Sequence, residues 1–159
     1  MTRHIFLDLD GVMADFEKGY EIMYGHHPHS KQDRDMWKTI NSNPNHWDSL
    51  PIMPGAMRLW AVLSPFKPTI LTGCPSGGYK MAVEGKRGWC AREFGPDVPV
   101  ITCMSRDKQK HMIAPGDILI DDMSKNCNRW IEAGGVAIQH KNAADTIAAL
   151  RPYIDAGEL

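Results

Sequence analysis

Acidic side chains follow two of the short apolar runs in this chain, and a hydroxyl group follows a third. These residues are Asp8 and Asp10 after the first run, Thr72 and Gly73 after the second, and Asp121 and Asp122 after the fourth. Crowded carboxylates raise one another's pKa unless a cation neutralises them, and hard carboxylate oxygens suit Mg²⁺. Within Asp8-x-Asp10, one carboxylate can attack phosphorus while the other handles the proton of the leaving group. The set therefore indicates magnesium-dependent chemistry on a phosphoryl group.

Other polar groups near these positions are suited to holding a phosphate. Thr72 offers a hydroxyl and Gly73 a backbone N–H to a phosphate oxygen. A cation should balance the phosphoryl charge, and Lys86, Lys108 and Lys110 are the candidates. Lys108 is favoured because it lies shortly after the third apolar run. Lys86 lies inside a predicted helix, so it reaches the site only if its side chain points along the cleft.

Short apolar runs alternate with amphipathic segments, which predicts strands that alternate with helices. The predicted strands are His4–Leu7, Thr69–Leu71, Val98–Thr102, Ile118–Ile120 and Val136–Gln139. The predicted helices are Pro54–Leu63, Tyr79–Phe94, Ser124–Ala133 and Asn142–Leu150, the last of which ends before Pro152. This order is typical of an α/β domain whose parallel sheet is covered by helices on both faces. Ligands of such sheets bind beyond the carboxyl ends of the strands, where the polar residues above should meet.

One interval is too long for a simple strand–helix–strand crossover. Between Asp10 and Thr69 lie 58 residues, whereas a whole crossover unit needs only about 30. We therefore predict a core domain of residues 1–15 and 54–159 and a small cap insertion of residues 16–53. The insertion should contain short helices around residues 17–24 and 33–41.

Composition and charge limit the class of protein. The 159 residues are 43 % apolar and 23 % charged with a net charge of −1, which excludes a disordered, collagen-like or coiled-coil chain. The absence of a basic block disfavours a nucleic-acid polymer as partner and leaves a mononucleotide or another small anion. No apolar run approaches a membrane span, and Asp8 interrupts any signal-like N-terminus, so we expect a cytoplasmic protein. The four cysteines form no CxxC pair and are expected to be reduced and mostly buried.

Four motifs in order resemble those of the haloacid dehalogenase superfamily of phosphohydrolases. They are DLDGV at 8–12, LTG at 71–73, a lysine, and ILIDD at 118–122. Within the superfamily the chain is most similar to the 5′(3′)-deoxyribonucleotidases. The segments that carry this likeness are DLDGVMADFE at 8–17, WDSLPIMPGA at 47–56, GKRGWCAREFGPD at 85–97, SRDK at 105–108 and GDILIDD at 116–122.

The resemblance implies a fold and a role for each matching residue. The fold is a Rossmann-like three-layer α/β sandwich with a parallel sheet of order 5-4-1-2-3 and a small helical cap after the first strand. Asp8 resembles the nucleophile that becomes an aspartyl-phosphate, and Asp10 resembles the general acid/base, with its backbone carbonyl on Mg²⁺. The other implied roles are phosphate binding for Thr72, the motif lysine for Lys108, a second phosphate-side lysine for Lys86, a Mg²⁺ ligand for Asp121 and its supporting acid for Asp122. Asp117 begins the fourth strand and is not expected to be a ligand.

The chain departs from the family pattern in two places. Thr72-Gly73-Cys74-Pro75 stands where the family usually has Thr-Ser-Pro, so one hydroxyl is missing. The segment from Lys108 to Asp121 is about three residues longer than the resemblance predicts, which leaves the choice between Lys108 and Lys110 open.

The predicted cap supplies candidate substrate contacts. By resemblance, Phe16, Trp47 and Met53 line a nucleobase pocket, where a base can stack on an aromatic ring; the alternative is that they pack the cap onto the core, and Trp37 is a weaker candidate. The histidines at 26, 27 and 29 are interpreted as a solvated cap loop rather than a metal site.

Three functions are compatible with these features to different degrees. The first is a Mg²⁺-dependent phosphomonoesterase acting on a nucleoside monophosphate, with a homodimer left open. The second is the same machinery acting on another small phosphoester. The third, a receiver-like phosphoacceptor module, would need its acceptor Asp after the third strand, where Thr102-Cys103 stands instead. A dehalogenase would not need Asp10, because its leaving group requires no proton.

Overall fold

Five strands form a parallel sheet in the computed structural model, which describes residues 2–30 and 35–159. The strands are β1 (Ile5–Leu7), β2 (Thr69–Gly73), β3 (Val100–Cys103), β4 (Ile118–Asp121) and β5 (Val136–Gln139). Their spatial order is β3-β2-β1-β4-β5 with every pairing parallel, which confirms the predicted order 5-4-1-2-3. The helices are α1 (Phe16–Tyr24), α2 (Met36–Asn41), α3 (Ala56–Leu63), α4 (Tyr79–Phe94), α5 (Ser124–Glu132) and α6 (Ala143–Asp155), with 3₁₀ turns at Ser64–Phe66 and Ser105–His111.

The central strands are buried on both faces, which explains why their sequences are apolar throughout. Ile5, Leu7, Ile70, Ile118 and Ile120 point to the larger of two hydrophobic clusters. Their neighbours Phe6, Leu71 and Leu119 point to the other face, where they pack with Trp130 of α5. The sheet is therefore sandwiched between two layers, as the alternation of elements predicts. No helix in the described residues is long and apolar enough to cross a membrane.

The final helix continues beyond the predicted stop. Helix α6 extends through Pro152 to Asp155. Proline lacks an N–H and costs most in a helix interior, but here only one turn follows it. That turn is closed by the Ala156 N–H, which donates to the Pro152 carbonyl at 3.1 Å. The expectation that the helix ends before Pro152 is therefore wrong.

The segment between β1 and α3 leaves and re-enters the core at adjacent points. The Asp15 N–H donates to the Pro51 carbonyl at 2.8 Å, and the Met53 N–H donates to the Met13 carbonyl at 2.8 Å. Helix α1 matches the predicted helix around 17–24, and α2 matches the described part of the one around 33–41; residues 33 and 34 lie outside the described residues. The pinned ends are consistent with an insertion, whose boundaries at 16 and 53 remain a prediction.

Candidate active site

A buried lysine joins two strand ends at the carboxyl edge of the sheet. Lys108 lies in the 3₁₀ turn after β3, and its Nζ donates to Asp8 Oδ1 and to Asp121 Oδ2, both at 2.6 Å. Asp8 follows β1 directly, and Asp121 is the last residue of the neighbouring β4. All three side chains are buried. The parallel register of β1 and β4 is what brings the two carboxylates to one ammonium group.

Burial and charge act on this cluster in opposite directions. Burial raises the pKa of Asp8 well above its ordinary value, with the Lys108 ammonium opposing the shift and the Asp121 carboxylate adding to it. Burial by itself would lower the pKa of Lys108, but Asp8 and Asp121 outweigh it and raise the pKa above the ordinary value. Lys108 therefore keeps its positive charge beside Asp8, the predicted nucleophile.

A second buried lysine organises the neighbouring strand end. Lys86 points from α4 into the cleft, and its Nζ donates to Asp10 Oδ2 at 2.6 Å, Thr72 Oγ1 at 3.1 Å and the Gly73 carbonyl at 2.7 Å. The ammonium also lies 4.4 Å from the centre of the Trp47 ring, which provides a cation–π contact. The predicted phosphate-side lysine and hydroxyl are thus brought together with Asp10.

Three acidic side chains form a candidate cation site between these lysines. One oxygen each from Asp8, Asp121 and Asp122 lie within 4.8 Å of one another. Burial is the main cause that raises the pKa of Asp122. Lys108 is the ammonium group paired within this cluster, with Asp8 and Asp121, so the three carboxylates carry two more negative charges than it neutralises. A hard divalent cation such as Mg²⁺ fits both the oxygen donors and this charge.

Backbone and amide groups fix the orientation of the acids. Asp121 Oδ1 accepts from the Met123 N–H at 2.9 Å, and Oδ2 accepts from the Asn126 side chain at 3.1 Å. Asn126 is a buried α5 residue that no sequence motif identified; its one signal is its position in the first turn of the helix that follows Asp121.

Gly11 adopts φ +82°, and a Cβ there would collide with the Asp122 carboxylate. Both constraints require glycine immediately after Asp10.

Comparisons with known proteins agree with this architecture. No family model matches the chain. A relative from Bordetella pertussis, named "Putative 5'(3')-deoxyribonucleotidase", is 28 % identical over 138 residues, covering 74 % of this chain and 73 % of the relative. A crystal structure of a haloacid dehalogenase-superfamily hydrolase from Ehrlichia chaffeensis superposes with a TM-score of 0.59 at 16 % identity, covering 97 % of this chain and 99 % of that one. The chain has the haloacid dehalogenase fold.

The fold is shared by proteins of different chemistry. The L-2-haloacid dehalogenase from Xanthobacter autotrophicus superposes with a TM-score of 0.53 at 11 % identity, covering 86 % of this chain and 76 % of that one. The fold that the motif resemblance implies is therefore confirmed, and the side chains at the strand ends must distinguish among the chemistries.

The structure places the three candidate lysines of this haloacid dehalogenase fold in different surroundings. Lys110 is 69 % exposed and pairs with Asp107 at 2.8 Å, away from the cleft. Lys108 and Lys86 are both buried and pair with acids at the carboxyl edge of the sheet. The extra residues before β4 therefore fall after Lys108 and do not displace it.

Asp117 and His27, which the sequence analysis did not assign to the metal site, have other partners. Asp117 accepts from the backbone N–H groups of His4, Ile113 and Ala114. His27 lies on the surface 3.7 Å from Glu17, and within residues 2–30 and 35–159 no histidine belongs to a group of three potential metal ligands.

Asp8, Asp10, Asp122 and Lys108 line a cavity of about 970 Å³ that is also bordered by the segment 16–53. The apolar residues that this segment contributes to the wall are Phe16, Met36, Trp37, Trp47 and Met53. The Phe16 and Trp47 rings stack with their centres 5.9 Å apart, and Trp47 is almost fully buried, so it also packs the segment onto the core. These aromatic residues thus both line the cavity and contribute to packing, and their binding of a nucleobase remains a prediction.

Proposed function

We propose that this chain is a Mg²⁺-dependent phosphomonoesterase that hydrolyses a nucleoside monophosphate through an aspartyl-phosphate on Asp8. The observation that carries the proposal is the pairing of Asp8 and Asp10 with different buried lysines at one sheet edge. Each of the two carboxylates has its own lysine as a partner and its own surroundings, so the two can take different roles.

In the first step, a carboxylate oxygen of Asp8 attacks phosphorus and the ester P–O bond breaks. Lys108 stabilises the charge on the nucleophile and on the phosphoryl group, and Thr72 holds a phosphate oxygen. Asp10, protonated at this stage, gives its proton to the departing alkoxide. The Asp10 Oδ1 atom suits this role because it is buried and accepts no hydrogen bond from the described residues.

In the second step, water attacks phosphorus and releases Asp8 and inorganic phosphate. Asp10 is now a carboxylate and takes the proton from the water, which returns it to its starting state. A Mg²⁺ ion held by Asp8, Asp121 and Asp122, with the Asp10 carbonyl as the proposed fourth protein ligand, would balance the negative charge of these acids and of the phosphate.

The proposed substrate class rests on the relative and on the cavity wall. The Bordetella protein's name refers to a deoxyribonucleotidase. The aromatic rings of Phe16 and Trp47 line the same cavity as the acids, and such rings suit a nucleobase. Another small phosphoester is the second candidate, because the reacting groups contact only the phosphate.

A dehalogenase reaction fits the side chains less well. Displacement of a halide produces a leaving group that needs no proton. The Lys86–Asp10 pair at 2.6 Å, whose lysine is buried, would then have no purpose beyond charge balance. Its position beside Thr72 favours a reaction that both binds phosphate and protonates an alkoxide.

Phosphate release tests the proposal. We expect purified protein to release inorganic phosphate from at least one nucleoside 5′- or 3′-monophosphate faster than from phosphosugars, and only with Mg²⁺. Asp8→Asn should lower kcat by at least about 10³, because it removes the covalent nucleophile. Asp155→Asn, at the exposed end of α6, is the matched control and should retain activity. Full activity in Asp8→Asn, or turnover of no phosphoester, would refute the proposal.

A further inference from the structure

Ser105 occupies the space into which a side chain at position 73 would extend. A Cβ built on Gly73 would collide with Ser105 Oγ and would lie 3.1 Å from its Cβ and 3.2 Å from its Cα. Gly73 is not among the glycines with positive φ, so its backbone conformation would accept another residue. The close approach of Ser105 is therefore the reason that position 73 lacks a side chain.

The geometry of the 3₁₀ turn directs Ser105 toward the reacting groups. A 3₁₀ helix has three residues per turn, so side chains three apart lie above one another. Ser105 and Lys108 have this spacing in the turn Ser105–His111. Lys108 contacts Asp8, and Ser105, Lys108 and Gly73 all line the same cavity. The Ser105 hydroxyl thus lies on the side of the turn that faces the phosphoryl position.

The lysines and the threonine leave few hydrogen-bond donors for a phosphate at this edge. An ammonium group has three N–H donors, and those of Lys86 are directed to Asp10, Thr72 and Gly73. Lys108 directs two of its donors to Asp8 and Asp121. Of these three side chains, the donors left are the Thr72 hydroxyl and one N–H of Lys108. Three non-bridging phosphate oxygens can accept more hydrogen bonds than these two donors and the Gly73 backbone N–H supply.

We propose that the Ser105 hydroxyl donates a hydrogen bond to a non-bridging oxygen of the substrate phosphate. Ser105 thereby supplies, from the turn after β3, the hydroxyl that position 73 cannot carry. This inference rests on the proposed phosphatase function and adds a phosphate-binding residue to it. No motif assigned a role to Ser105, because that role depends on the close approach of β2 and the turn after β3.

Inorganic phosphate binding measured by titration calorimetry with Mg²⁺ tests the role directly. We expect Ser105→Ala to weaken phosphate binding about tenfold, the effect of losing one hydrogen bond to a charged group, with a similar loss in kcat/KM. Ser105→Thr keeps the hydroxyl and should bind phosphate within about twofold of the wild type. Ser124→Ala removes a hydroxyl from the start of α5, outside the cavity lining, and should change neither quantity.

Moving the hydroxyl group from position 105 to position 73 provides a second test. In Gly73→Ser/Ser105→Gly, the colliding Oγ and Cβ atoms are removed, and only the backbone of residue 105 remains close to the new side chain, at 3.2 Å. We expect this double variant to bind phosphate more tightly than Ser105→Gly alone.

The outcomes separate this inference from the proposed function. A wild type that releases phosphate, with a Ser105→Ala variant that binds phosphate equally well, would overturn the role of Ser105 and leave the phosphatase intact. A wild type that neither binds nor releases phosphate would overturn both. Tenfold weakening in Ser105→Ala, with binding restored in Ser105→Thr and the double variant, would support both.

Discussion

Lys108 and Lys86 are both buried ammonium groups, but they contact different carboxylates. Lys108 bridges Asp8 and Asp121, whereas Lys86 joins Asp10 to Thr72. A buried charge is tolerated only when it is paired and hydrogen-bonded. Removal of either lysine therefore leaves a carboxylate without its partner, and the functional consequence depends on which carboxylate that is.

We expect the three lysine-to-methionine variants to differ in how strongly they reduce catalytic activity. Lys108→Met should lower kcat by at least about 10², because it removes the positive charge beside the nucleophile and phosphoryl group. Lys86→Met should raise KM and lower kcat by less, through Thr72 and Asp10. Lys110→Met should be nearly silent, because Lys110 lies on the surface. Steady-state kinetics of nucleotide hydrolysis measure these effects, and a damaging Lys110→Met would contradict the assignment.

The cation site can be tested independently of turnover. Asp121→Asn should raise the Mg²⁺ concentration needed for half-maximal thermal stabilisation by at least about tenfold, because a neutral amide is a weaker ligand. Differential scanning fluorimetry over a Mg²⁺ series provides the measurement. His27→Ala, in the surface loop, is the control. Equal shifts in the two variants would show that the three acids are not the Mg²⁺ site.

At the level of secondary structure, helix α4 positions Lys86 by packing closely against residues 47–50. A Cβ at Gly85 would lie 2.7 Å from Trp47 Cβ and 3.3 Å from the Asp48 backbone nitrogen. The Trp89 indole N–H donates to the Leu50 carbonyl at 2.7 Å, and Arg92 pairs with Asp48 at 2.7 Å. The absent side chain at position 85 lets α4 approach the segment that carries Trp47.

Two glycines on α4 form a matched pair for testing this packing. Alanine favours a helix over glycine by about 1 kcal/mol, but at Gly85 the collision with Trp47 should outweigh that gain. We expect Gly85→Ala to lower the free energy of unfolding by about 1–2 kcal/mol. At Gly88 a Cβ would meet Asp48 Oδ1 at an ordinary 3.4 Å, so Gly88→Ala should raise stability by up to about 1 kcal/mol. Urea unfolding of both variants measures these changes in the free energy of unfolding. A Gly85→Ala variant that is more stable than the wild type would contradict the packing argument.

Across the domain, the segment 16–53 and the sheet share one hydrophobic cluster. Tyr20, Ile40, Trp47 and Leu50 are buried in the same cluster as the apolar strand residues. His46 lies fully buried among these rings, with Nδ1 3.0 Å from the Tyr24 hydroxyl. Burial lowers the pKa of His46 to about 4, so the native state holds this histidine neutral.

His46 should make stability depend on pH on the acid side. Its folded pKa of about 4 lies below the ordinary value of 6.5, so below pH 6.5 the unfolded chain binds a proton that the native state does not. Stability is therefore lost as pH falls from 6.5 toward 4, by about 2 kcal/mol between pH 7 and pH 5. Urea unfolding at both pH values should show a correspondingly smaller loss in His46→Gln, while His27→Gln, at an exposed histidine, should match the wild type. Equal losses in the wild type and His46→Gln would show that His46 is not the source.

Local sequence patterns were sufficient to predict the sheet and the residues at its edge. The apolar runs predict five parallel strands. The order that brings Asp8, Thr72 and Asp121 to adjacent strand ends was implied by the family resemblance, and the structure confirms it. The position of these residues at the carboxyl edge needs only the local pattern and the rule that ligands of parallel sheets bind beyond the carboxyl ends of the strands, whereas strand order depends on pairing between distant segments. The helix boundaries were less predictable, and Pro152 within α6 shows that a single breaker can be tolerated near a helix end.

Packing in three dimensions selects which side chains from outside the strands reach that edge. The sequence left Lys108 and Lys110 as alternatives, and only the direction of the 3₁₀ turn places the first beside Asp8 and the second in solvent. The positions of Lys86 and Ser105 likewise depend on how closely α4 and the turn after β3 approach segments distant in sequence. Those approaches are set by packing and by the absence of side chains at Gly85 and Gly73. The local sequence pattern shows the two glycines but does not show which distant residues pack against them.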